Sequence, residues 1–146
     1  MAATTTADRR LQVDPAYQAF WLLRVGFTVA PILFGLDKFF HVLVDWDVYL
    51  APEFSDLFNA QAHTLMYAVG AIEIVAGLVV AFMPRVGGYL VAAWLAGIIV
   101  NLLLMAEYYD IALRDFGLLI AAVALARLAI AFPSGHRTVH RADPTA

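Results

Sequence analysis

The chain has no cysteine, which excludes disulfide frameworks, thiol redox pairs, iron–sulfur clusters and covalently attached c-type haem. Charge is scarce too: 14% of the 146 residues are Asp, Glu, Lys or Arg, against about 25% in an ordinary soluble domain. The nine basic residues are scattered through a chain of net charge −3. They form no basic stripe that could track a phosphate backbone, so no nucleic-acid role follows. Any redox cofactor must be held by His or Met, be a diffusing quinone, or sit on a partner.

What the chain has in abundance is apolar surface. Hydrophobic residues make up 63% of it, against about 45–50% in soluble domains, and this places it in a lipid bilayer. Four apolar stretches, 17–36, 64–83, 87–106 and 111–132, each approach the ~20 residues with which a helix crosses about 30 Å of hydrocarbon. The expected fold is all-α: a four-helix transmembrane bundle over residues 15–132, with solvated tails at 1–14 and 133–146. Arg9 and Arg10 precede the first stretch as in a signal peptide, but a small-x-small cleavage site is missing and further spans follow, so the segment is predicted to be retained. Arg9, Arg10, Arg85, Arg137 and Arg141 would lie on one side, while Lys38 and Arg114 stand among many acids on the other. The positive-inside rule then puts both termini in the cytoplasm.

Between the first two stretches, residues 45–62 read as a short interfacial helix. Pro52 suits a first turn, Leu50, Phe54, Leu57, Phe58 and Gln61 recur at helical spacing, and Trp46 and Tyr49 suit the headgroup layer. The segment serves either as an anchor or as a lid over a site between the helices.

Ionisable groups inside lipid are expensive and face the bundle interior or a watery cavity. Arg24, Thr28, Pro31, Gly35 and Lys38 share one arc of the first helix, with a possible kink at Pro31. His63, Gly70 and Gly77 stack on one face of the second, with Met66 and Glu73 beside them. Glu73 lies about 13 Å below the start of its span, near the bilayer centre. Asn101 shares a face with Trp94, Gly97 and Met105 and is placed to reach Glu73 or to act as interhelical glue. Arg24 and Arg127 are buried-charge candidates able to snorkel to the headgroups, and Asp37–Lys38 and Arg114–Asp115 are candidate ion pairs at the opposite end.

The stretches "LLRVGFTVAPILFGLDKFF", "DWDVYLAP", "AIEIVAGLVVAFMPRVGGYLVAAWL" and "LRDFGLLIAAVALA" resemble the DoxX family of small four-helix bacterial membrane proteins, which includes the small subunit of thiosulfate:quinone oxidoreductase. Arg24, Gly35, Lys38, Glu73, Gly77 and Asp115 match its pattern. The resemblance implies a bacterial inner-membrane subunit associated with redox partners and quinone chemistry. The expected site is a pocket bordered by Lys38, His41, His63 and Asp115 that accepts a quinone headgroup, with Asp37, Glu73 and Asn101 as further quinone or proton-site candidates. The competing readings are haem b held by His41 and His63, without any other metal, and a non-enzymatic assembly, scaffold or small-solute transport protein. The expected partners are lipid and either a redox subunit or further copies of the chain.

Overall fold

A computed structural model of the chain describes residues 14–58 and 61–133; the tails, with Arg9, Arg10, Arg137 and Arg141, and the side chain of Phe58 lie outside the described residues. The described chain is helical, and no strand occurs in it. Helix α1 runs Pro15–Phe40, a 3-10 turn follows at Trp46–Tyr49, α2 is Pro52–Phe58, α3 Ala62–Phe82, α4 Pro84–Met105 and α5 Tyr109–Ala131.

The first helix starts where Asp14 caps it, its carboxylate accepting from Ala16 N at 2.9 Å, with Pro15 in the first turn. It continues through Pro31 and past the expected end at residue 36, because Asp37 and Lys38 are buried rather than turned to solvent. It stops at His41, whose left-handed backbone (φ 53°) ends the helical path. Residues 45–62 contain two short pieces, the 3-10 turn and α2, rather than one helix.

Three helices, Pro15–Phe40, His63–Phe82 and Pro84–Met105, are long and apolar enough to cross a membrane, and they mark a multi-pass membrane protein. The 23 residues of α5 carry Asp110, Arg114, Asp115 and Arg127, and this charge separates it from the other three by composition. Helix α5 nonetheless lies along α4 as closely as α3 lies along α1, and the two pairs meet chiefly through α3 and α4.

The packing is inverted relative to a water-soluble protein. Buried positions are dominated by small residues, among them Ala76, Ala92, Ala122, Ala126 and Ala129, while Leu22, Phe40, Val42 and Phe82 are more than 70% exposed. Between helices in lipid there is no hydrophobic gain to collect, so close backbone contact between small residues takes over. Gly35 and Gly70 form the tightest α1–α3 crossing: a Cβ on Gly35 would stand 2.6 Å from Gly70 O, and one on Gly70 2.8 Å from Gly35 O. Arg24, Thr28, Gly35 and Lys38, four members of the predicted arc, all meet α3.

The ends of the helices are closed differently. At the end where the described chain starts and stops, Tyr17, Phe20 and Phe132 cluster, with Tyr17 and Phe132 ring centroids 5.2 Å apart. At the other end, called here the connector end, Asn101 pins the 45–51 segment to α4: its Oδ1 accepts from Ala51 N at 2.9 Å and its Nδ2 donates to Tyr49 O at 2.6 Å. Asn101 therefore does not bond Glu73; a single side chain satisfying two backbone groups of a non-helical segment is the stronger arrangement at this depth.

Two outcomes test this packing. Gly35→Ala should lower resistance to unfolding in detergent by about 1–3 kcal/mol, as expected for overpacking, whereas Gly26→Ala, whose new Cβ would meet nothing within 4 Å, should leave it unchanged. Asn101→Leu should destabilise by about 1–3 kcal/mol through the two orphaned backbone groups, with faster hydrogen exchange at the Ala51 amide as its local signature.

Candidate functional site

The polar residues of the connector end fall into two layers. The deeper is an ion pair between helices: Lys38 Nζ of α1 donates to Glu73 Oε2 of α3 at 2.7 Å, with only 5% and 9% of the two side chains exposed. The indole of Trp46 covers it, the Lys38 ammonium lying 3.8 Å from the ring centroid, a distance at which the ring quadrupole attracts the cation. Trp94 of α4 turns a buried indole N–H toward Glu73 without completing a hydrogen bond. Asp115 of α5, half-buried, lies within electrostatic reach of Glu73. All four long helices thus contribute to one polar centre.

Asp37 does not pair with its neighbour Lys38. Its Oδ2 accepts the Trp46 indole N–H at 2.6 Å, and its Oδ1 accepts from Val42 N and Leu43 N, each at 3.0 Å. Consecutive residues on a helix point about 100° apart, so Lys38 faces α3 while Asp37 faces the returning chain. Asp37 folds the chain over the helix end, and Trp46 is thereby delivered onto Lys38.

The outer layer is an open cleft lined by His41, Asp45, Asp47 and His63. The imidazoles of His41 and His63 stack, centroids 5.3 Å apart and planes 17° from parallel. His63 Nδ1 lies 2.9 Å from Asp47 Oδ2 and its Nε2 2.7 Å from the Tyr67 hydroxyl. Asp45 accepts from Asp47 N at 3.2 Å and starts the 3-10 turn that presents Asp47. His41 Nε2 and Asp47 Oδ1 are buried atoms without a hydrogen-bond partner.

The predicted pocket of Lys38, His41, His63 and Asp115 is therefore divided. His41 and His63 do come together at the surface, but Lys38 lies beneath Trp46, and Asp45 and Asp47 complete the cleft. Stacked face to face, the two imidazoles do not oppose each other across a porphyrin plane as axial ligands must, so the haem reading gains no geometric support. Arg114 pairs with Asp110, four residues away on α5, at 2.7 Å rather than with Asp115. Arg24 donates to Ala81 O at 2.5 Å and lies over the Trp21 ring at 4.8 Å, near the end where the described chain starts and stops; Arg127 is exposed.

Sequence reasoning offered the aromatic segment that holds Trp46 as a lid without singling out the residue that covers Lys38, and it passed over Asp47 and Tyr67 as site residues. Tyr67 had a readable signal, since it follows His63 by one helical turn. Asp47 had none, and the contact of Trp46 with Lys38 was not specified, because both depend on how the chain folds back after residue 41. Comparison of the chain with protein-family models, with curated proteins and with solved structures gave no match.

Proposed function

We propose that the protein is a four-span subunit of a quinone-linked oxidoreductase in a bacterial inner membrane, DoxX-like in organisation, with both termini cytoplasmic. In this reading the Lys38–Glu73 pair beneath Trp46 handles a quinone headgroup and its protons. The supporting observation is the pair itself, two opposite charges shut away together between two long apolar helices. Such a pair adds little net stability, because desolvation offsets its Coulombic attraction and apolar replacements are often as stable. Its presence at membrane depth is more readily explained by chemistry than by folding.

The chemistry suits a quinone. An ammonium donates to a quinone carbonyl oxygen, a carboxyl group passes the proton that accompanies reduction, and a flat aromatic ring already rests on the ammonium where a quinone ring can take its place. Electrons come from a partner subunit carrying the redox centre. In this reading α5, which packs along α4, is the fourth span, its charged residues gathered toward its two ends.

A non-enzymatic assembly role is favoured by a different observation: Lys38 and Glu73 are nearly sealed, and Trp46 is held in place by Asp37. The two readings part on one comparison. Glu73→Gln alone leaves the Lys38 ammonium buried without its counterion and should destabilise by about 3–5 kcal/mol. The double variant Lys38→Met/Glu73→Leu should instead fold as well as the wild type. In the quinone reading, a short-tailed quinone quenches Trp46 fluorescence in the wild type, as judged against Trp46→Phe, and fails to do so in the double variant. Equal quenching in both would remove the site from this pair, and absence of quenching in the wild type would leave the assembly role.

Reporter fusions after residues 60, 86, 109 and 146 should read outside, inside, outside and inside. Any other order refutes the four-span topology.

A further inference from the structure

The outer cleft is built from donors that the quinone reading does not use. We infer that His41, Asp47 and His63 form a binding site for a divalent transition-metal ion of the zinc class at the connector end of the helices.

One ligand atom from each of these residues lies within 4.8 Å of the other two. Zinc bonds imidazole nitrogen and carboxylate oxygen at about 2.0–2.2 Å, which in a tetrahedron separates the ligand atoms by about 3.4 Å. Small side-chain rotations adjust these separations, the 2.9 Å His63 Nδ1–Asp47 Oδ2 hydrogen bond opening slightly as the ion takes the place of its proton.

The free valences point the same way. Tyr67 takes His63 Nε2, so that Nδ1 faces Asp47 across the cleft; a ligating histidine whose second ring nitrogen is held by another group is the usual arrangement around a metal. Nε2 of His41 and Oδ1 of Asp47 are buried without a hydrogen-bond partner, and both residues line the cleft. Three elements meet here: the end of α1, the 3-10 turn and the start of α3.

The backbone supplies another argument. His41 holds φ 53° where glycine is the ordinary occupant, a conformation that costs a non-glycine residue about 1–2 kcal/mol. A side chain at this position earns its place by what it touches, and it touches His63. Two imidazoles and one carboxylate suit zinc, cobalt or nickel; calcium and magnesium prefer all-oxygen sites. Three protein ligands leave a fourth position for water or an external donor. Asp45, on the rim, holds Asp47 by its backbone N–H.

The test uses the full chain in detergent, stripped with a chelator and titrated with Co²⁺ as a visible probe, with Zn²⁺ in competition. One equivalent should saturate d–d bands of tetrahedral intensity, and Zn²⁺ should abolish them. His41→Asn, which keeps a residue tolerant of the left-handed backbone, Asp47→Asn and His63→Gln should each weaken binding at least about tenfold. The other two histidines, His136 and His140, are the control: His136→Ala/His140→Ala should bind as the wild type does. A readout without variants is mass-spectrometric mapping of histidine acylation, in which Zn²⁺ should shield His41 and His63. Failure to saturate, survival of binding in His41→Asn/His63→Gln, loss of binding in the tail variant, or no shielding of His41 and His63 would each overturn the site.

Discussion

The connector end is organised around one contact, that between Lys38 and Glu73. Lipid offers no water to either charge, so each is tolerable only with the other in place. That requirement selects the register of α1 against α3 without adding much stability, because a shift of one helical turn would carry the two groups about 5.4 Å apart. With Lys38 turned toward α3, Asp37 is left facing the returning chain, and its bonds to Val42, Leu43 and Trp46 determine where that chain goes. His41, at the end of α1, stacks on His63, at the start of α3, where the same two helices meet.

Around this polar centre the helices come together through what their side chains lack. The Gly35–Gly70 crossing is close because neither residue has a Cβ, and Gly88 meets α5 in the same way, a Cβ there reaching 2.8 Å from Ala122 O. Large apolar residues are turned outward, where lipid solvates them as well as a protein interior would. Close approach of backbones and burial of a few polar side chains are linked, since only helices this near can let Lys38 span to Glu73.

Much of this arrangement was legible in the sequence. Composition and four long apolar runs carry the helical fold, and the arc of Arg24, Thr28, Gly35 and Lys38 does face its partner helix, because helical periodicity alone places those residues together. Three of the four runs satisfy length and apolarity for crossing a membrane; the fourth forms its helix but brings charge with it. The partners of the polar residues were not legible. Asp37 and Lys38 are adjacent in sequence yet diverge in space, and Asn101 serves the connector rather than Glu73. Both outcomes turn on a non-helical segment whose path no periodicity encodes. The cleft shows the same limit: its histidines stood out as residue types, but Asp47 enters through a 3-10 turn set by Asp45.

Lys38 is the chain's single lysine, and it is closed off by a carboxylate on one side and an indole on the other. Side-chain amine chemistry therefore has one address in this protein, and folding shuts it. Acylating dyes, amine cross-linkers and lysine-directed modifying enzymes meet no accessible side-chain target on the folded chain, and lysine reactivity becomes a native gauge of how often the helix pair opens.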